Sequence, residues 1–308
     1  MNRQNALLRL SDVAVKDVFP LARYVVKRTR QVVDDLALRA LGPDFEERAA
    51  RIRARYEAMG GDPFGLDPDF TKYASMVSAV FHRLYFRTTV HGISNVPEGR
   101  ALLISNHSGQ LPIDGMIIGM SMFMDAEPPR MVRAMVEKWV QTLPFVSMLF
   151  NRTGQVVGVP ENCERLLQQE ELILAFPEGT RGISKPFTRR YQLEEFGLGF
   201  MRLAIETRSP IVPVAVIGAE EQFINVGNLD WLAKALGVPV LPIIPQFFIP
   251  GGLLPLPTKY HVYFGEPMYF EGDPDDDDTV IEEKVWLVRQ TIQSMINRGL
   301  KERKSLFF

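Results

Sequence analysis

From residue 85 onward, short apolar runs alternate with longer stretches that carry helical periodicity, and this alternation restricts the fold more than any other feature. Runs at 87–91, 101–105, 130–135, 155–159, 172–176, 211–217 and 259–264 read as strands. Stretches at 113–123, 137–150, 161–170, 195–207 and 279–302 read as helices. Strands separated by helices pair in parallel, because a crossover is needed to return the chain to the same end of the sheet. The expected fold is therefore α/β, with a mostly parallel central sheet flanked by helices. In such sheets a ligand sits beyond the carboxyl ends of the strands, so residues just after each run are the ones to inspect.

The chain before the alternation is different. Residues 1–68 are expected to form a helical N-terminal extension, and 69–308 the α/β domain. "DFEERAARIRARYEAMG" is rich in helix formers and stops at Gly60-Gly61-Asp62-Pro63. In "DFTKYASMVSAVFHRLYF", Phe70, Tyr73, Val77, Val80, Phe81 and Leu84 recur at helical spacing. Asp69, Lys72, Ser75, Ser78 and His82 fall largely on the other face. The apolar stripe is expected against the domain core rather than lipid, with His82 a surface or packing histidine.

Composition removes several classes. A net charge of −2 gives no field that would recruit nucleic acid, so basic residues must act locally. The single cysteine, Cys163, excludes an intrachain disulfide and suits a reducing compartment. It opens a helical stretch and reads as an inert, half-buried thiol. "MNRQNALLRLSDVAVKD" carries charges where a secretory signal would be apolar, so no such signal is expected. The uncharged stretch 236–257 contains six prolines and three glycines, which block a spanning helix. It reads either as an apolar loop lining a lipid groove or touching a bilayer, or as a loop packed on the core. Five aspartates in "GDPDDDDTV" precede the last helix, where anions favour a helix N-terminus. Neither HExxH nor paired cysteines occur, so no metal is expected.

Two strand ends carry chemistry. In "ALLISNHSGQLPIDG", His107 is the first group past the apolar run that titrates near neutrality, and Pro112 suits a first helical position. Asp114 then lies in the first helical turn, where it either holds one imidazole nitrogen or simply caps the helix. In "LILAFPEGTRG", a strand runs into Glu178, Gly179, Thr180 and Arg181. Gly179 permits close backbone approach, and the Arg181 fork suits phosphate or carboxylate. Without other context this segment is equally a salt-bridged turn. Lys185, Arg189 and Arg190 add positive charge nearby, and Arg152 in "FNRTG" precedes the strand at 155.

The blocks "NHSGQLPIDG", "FNRTG", "FPEGTRG" and "IVPVAVIG" occur in that order, and the chain from 85 to 270 resembles the glycerolipid acyltransferase family, of the lysophosphatidate acyltransferase type. That resemblance implies transfer of a fatty acyl group from a thioester, acyl-CoA or acyl-carrier protein, to a hydroxyl of a lipid acceptor. It implies His107 as general base with Asp114 fixing its tautomer. It implies Glu178, Gly179, Thr180 and Arg181 as binders of the acceptor's glycerol-phosphate part, assisted by Arg152. Beside an anion, Glu178 would have to bind a hydroxyl or orient Arg181. Ser108-Gly109 would offer backbone donors to the oxyanion, and no cofactor or acyl-enzyme is required. The family pattern has four residues between histidine and aspartate, whereas here there are six, with Pro112 where the acid would stand. Either the turn is longer and Asp114 still reaches His107, or the dyad is altered; Gly109 and Pro112 give the chain the means for the longer turn.

The implied acceptor is 1-acylglycerol-3-phosphate, in phospholipid biosynthesis, with a neutral acceptor such as diacylglycerol as the alternative. A lipid hydrolase and a non-catalytic lipid-binding protein are the rivals, though no G-x-S-x-G elbow accompanies the histidine. Substrates that live in a bilayer imply peripheral attachment, expected at the cytoplasmic face.

Overall fold

The structure is a computed structural model that describes residues 35–107, 111–237 and 240–307. The expectations placed on residues 1–34, on the Ser108-Gly109 backbone and on 238–239 lie outside the described residues.

Seven strands form one sheet in the order β1-β7-β6-β2-β5-β3-β4. They are β1 (Thr89–His91), β2 (Ala101–Ser105), β3 (Val132–Val136), β4 (Val156–Val157), β5 (Leu172–Ala175), β6 (Ile211–Ile217) and β7 (His261–Phe264). All neighbours run parallel except β6 and β7, which pair antiparallel. The expected α/β fold with a mostly parallel sheet is therefore the observed one. Every residue of β2 and β6 is buried, as strands covered on both faces must be.

The alternation of side chains divides the core between the two faces. Leu102, Ile104, Ile173, Ile211, Ala215 and Ile217 pack with helices α6 (Pro160–Gln168), α8 (Gly199–Thr207) and α10 (Asp278–Glu302). Ala101, Leu103, Leu172, Leu174, Val212, Val214 and Val216 face the other way, onto α4 (Ile113–Met124). The remaining helices are α1 (described over 35–41), α2 (Phe45–Ala58), α3 (Pro68–Ala79), α5 (Val146–Arg152), α7 (Thr180–Ser184) and α9 (Asp230–Leu236).

Two expectations are corrected. The helix read at 137–150 is broken into a short 3-10 segment at Lys138–Thr142 and then α5. Pro144 lacks an N–H and pushes Leu143 into extended geometry (φ −82°, ψ 117°), which ends the first segment.

The apolar stripe through α3 also departs from the expectation in part: Phe81, just beyond the helix, packs on the core, but Tyr73 and Val77 do not. Thr71, Ser75, Ala79 and His82 are buried, whereas Tyr73 is 66% exposed and Val77 62%. Two of the buried polar side chains find partners: Thr71 Oγ1 donates to the Arg152 carbonyl at 3.0 Å, and His82 Nε2 lies 3.2 Å from Ser121 Oγ, whereas His82 Nδ1 is buried without one. Small side chains at Ser75 and Ala79 let α3 seat closely on its neighbours, and Tyr73 and Val77 are left outside. Desolvation depresses the His82 imidazole to about 4, so it is a packing histidine, neutral near pH 7.

The segment before α3 is tied into the same body. Phe45, Ala49, Ile52 and Tyr56 of α2 share a core cluster with Met120, Phe123 and Met124 of α4. Asp62 accepts both ends of the fully buried Arg133 guanidinium on β3, at 2.8 and 3.1 Å. Cys163 is buried and its thiol is raised to about 11 by desolvation, which makes it the inert thiol expected. No helix among the described residues is long and apolar enough to cross a membrane.

Candidate active site

β2, β5, β3 and β6 run in the same direction, so the segments following them meet at one edge of the sheet. His107 follows β2, the Glu178–Arg181 segment follows β5, and residues 218–226 follow β6. The sequence blocks separated by some seventy positions are thereby neighbours (107 and 178 differ by 71).

His107 is held from several sides. Its Nδ1 lies 2.8 Å from Asp114 Oδ2, so the six-residue separation does preserve contact between the two side chains. Asp114 stands in the first turn of α4 and is wholly buried; its Oδ1 accepts the Gly115 N–H at 2.8 Å. The imidazole stacks on Phe176, with centroids 4.2 Å apart and planes 21° apart. Its main-chain N–H donates to Glu178 Oε1 at 3.0 Å. Just before it, the buried Asn106 exchanges two hydrogen bonds with Val216 (3.0 and 2.8 Å), extending the β2–β6 pairing through a side chain. Phe176 and Asn106 were missed in the sequence. The asparagine's place between a strand end and a titratable residue was the signal available for it.

The Glu178–Arg181 segment packs directly on this histidine. Gly179 adopts φ +55° and ψ −140°, a conformation that a side chain would resist, and turns the chain into α7. Gly182 sits so close that a Cβ there would lie 3.1 Å from His107 Cβ and 3.0 Å from Glu178 Cβ. α7 therefore presses on the His107 loop, and Thr180 and Arg181 are placed in its first turn. Arg181 is more than half exposed; it donates to the Glu195 carbonyl at 2.9 Å and lies 3.4 Å from the highly exposed Glu195 carboxylate. A guanidinium so lightly engaged can take an anion at modest cost.

Three residues are engaged in contacts that the sequence reading did not give. Glu178, expected to bind a hydroxyl or orient Arg181, is 1% exposed and its oxygens are committed to His107 N–H, Glu194 N–H and Lys185. Lys185, expected to add positive charge near this strand end, is there but buried between Glu178 and Glu220. Arg152 pairs with Asp67, the N-cap of α3, at 2.6 Å and stacks over Phe70 at 4.0 Å. The arginine is thus engaged with the N-terminal helices, and this arrangement ties α5 to α3.

Residues 87–217 match the family model described as Acyltransferase. An uncharacterized protein of Mycobacterium leprae (strain TN) is 37% identical over 255 residues, covering 80% of this chain and 70% of its own length. The mouse (Mus musculus) protein named DGAT1/2-independent enzyme synthesizing storage lipids is 26% identical over 212 residues, covering 68% of this chain and 59% of its own. Among solved structures, the 1-acyl-sn-glycerophosphate (LPA) acyltransferase PlsC of Thermotoga maritima superposes with a TM-score of 0.50 at 18% identity, over 77% of this chain and 80% of that one. The chain belongs to the acyltransferase family that the matching family model describes.

Proposed function

We propose that this acyltransferase moves a fatty acyl group from a thioester, acyl-CoA or acyl-carrier protein, onto the hydroxyl of a glycerolipid, with His107 as general base. The observation that carries the reading is the 2.8 Å contact between His107 Nδ1 and the buried Asp114 carboxylate, beside the exposed Arg181. With Nδ1 committed to Asp114, Nε2 is the nitrogen that takes the acceptor's proton. The acceptor oxygen attacks the thioester carbonyl carbon as that proton leaves. The tetrahedral adduct then collapses, the C–S bond breaks, and the imidazolium returns the proton to the departing thiolate. Asp114 stabilises the imidazolium while it lasts. The direct route needs no acyl-enzyme, because a thiolate is already a good leaving group.

Arg181 is the residue for an acceptor phosphate, which makes 1-acylglycerol-3-phosphate the first acceptor to test. A neutral acceptor such as diacylglycerol is the second reading, favoured by the mouse relative's name, which refers to storage lipids.

Contact with a bilayer surface is part of the proposal. Tyr73 and Val77 on α3, Phe145 (81% exposed) and Met148 at α5, and Phe248 (85%) with Leu253 in the proline-rich stretch all present apolar side chains to the outside. The last group stands on the site's edge of the sheet, since Phe247 packs edge-on against Phe223, which follows β6. Side chains of this kind give reversible, peripheral attachment.

The test is purified protein with labelled acyl-CoA or acyl-carrier protein and a panel of lysophosphatidate, diacylglycerol and simple alcohols, with products identified by mass. His107→Ala is expected to lower turnover by about 10²–10⁴-fold while the thermal midpoint stays near wild type. Undiminished transfer by that variant removes the general-base assignment, and release of free fatty acid in place of a lipid product makes the protein a hydrolase.

A further inference from the structure

A chain of buried charge runs from the site into the protein, and the proposed reaction does not use it directly. Glu178 Oε1 accepts the His107 N–H at 3.0 Å, and Oε2 accepts the Glu194 N–H at 2.8 Å. Lys185 Nζ lies 3.2 Å from that same Oε2 and 3.3 Å from Glu220 Oε1, and donates to the Gln192 carbonyl at 3.1 Å. Glu220 Oε2 in turn accepts the Tyr191 N–H at 2.8 Å. The three side chains come from the end of β5, the end of α7 and the turn after β6. All three are buried.

A buried ion network is weak support for stability, because desolvation cancels much of the attraction. Its geometry here points elsewhere. A carboxylate that accepts main-chain N–H groups from two loops fixes the distance between those loops. It can do so only while a cation balances its charge in the interior. Lys185 is that cation. Two carboxylates against one ammonium leave a surplus of negative charge, and burial pushes the Glu220 carboxyl up to about 7, so a proton on Glu220 relieves the surplus.

We infer that Lys185 is a positioning residue: its ammonium holds the Glu178 carboxylate on the His107 main chain and so sets where the imidazole stands relative to Arg181. The inference rests on the assignment of His107 as the base. Displacing a reacting group by about 1 Å costs on the order of 10²-fold, so a loosened loop registers in turnover before it registers in binding.

The experiment is Lys185→Met, assayed per folded site, with kcat and the KM for acyl-CoA measured separately. Removing the ammonium strands two buried carboxylates, so the substitution is also made together with Glu220→Gln, which leaves only one. Expected is a kcat loss of about 10–10²-fold with the acyl-CoA KM unchanged. A second readout is non-additivity: Glu178→Gln combined with Lys185→Met is expected to be no slower than Glu178→Gln alone, because both act on one contact. Wild-type kcat per folded site in Lys185→Met, alone or with Glu220→Gln, overturns the inference, as do losses that multiply in the Glu178 pair. His107→Ala separates the two levels: an inactive His107→Ala beside an active Lys185→Met overturns the positioning role alone. An active His107→Ala overturns the base assignment on which that role stands.

Discussion

His107 and Arg181 stand at the same edge of the sheet, yet the chain treats them differently. The imidazole has Asp114 at 2.8 Å, Phe176 against its ring, Glu178 on its main chain and Gly182 pressed to its Cβ. The guanidinium has one loose carboxylate and one carbonyl, both of Glu195, and is 53% exposed. A base must be placed before the substrate arrives, because reaction geometry tolerates little error. An anion binder must keep its donors available, because a strong intramolecular partner would have to be displaced first. Under the proposed function the rigid group is the base and the loose one the anion binder.

That contrast can be broken first at Asp114. Asp114→Asn keeps the shape and still accepts the Gly115 N–H, but loses the charge that pairs with the imidazolium. Turnover should fall by about 10²–10⁴-fold. Near-native turnover reduces Asp114 to a helix cap. At the loose end, Arg181→Ala should raise the KM for a phosphorylated acceptor by about 10–100-fold, the worth of one charge-assisted hydrogen bond. Arg152→Ala is its control. It breaks a surface pair to Asp67 worth about 0–1 kcal/mol of stability and should leave acceptor kinetics alone. Equal KM effects from the two arginines would place Arg152 back among the acceptor's ligands. The smallest structural effect belongs to Val77→Lys, on a side chain 62% exposed. Stability should change by less than about 0.5 kcal/mol while sedimentation with phospholipid vesicles weakens. Unchanged vesicle binding would exclude the outer face of α3 from membrane contact.

The sequence made most of the fold legible because a buried parallel sheet writes itself as apolar runs at regular intervals. The runs at 101–105 and 211–217 coincide with β2 and β6, the two strands with every residue buried. The His107–Asp114 contact was legible as well, since a strand end followed by a helical first turn leaves the pair few places to go. What could not be read was which side of an amphipathic helix meets protein. Periodicity reports that α3 has two faces, but the choice depended on Ser121 and the Arg152 carbonyl, both remote in sequence. The burial of Glu178 and Lys185 was illegible for a related reason. A charge beside a predicted ligand site looks available until the loops that enclose it are assembled.

The Arg133–Asp62 pair carries a last consequence. A guanidinium inside the sheet obtains its counter-anion from beyond the α/β alternation, so the helical preface supplies an electrostatic keystone to the layer that follows it. Losing either partner alone would bury the other without this counter-charge, Arg133 on the Gly154 carbonyl and Asp62 on the Phe64 and Leu66 N–H groups, so the stability of the two regions is coupled.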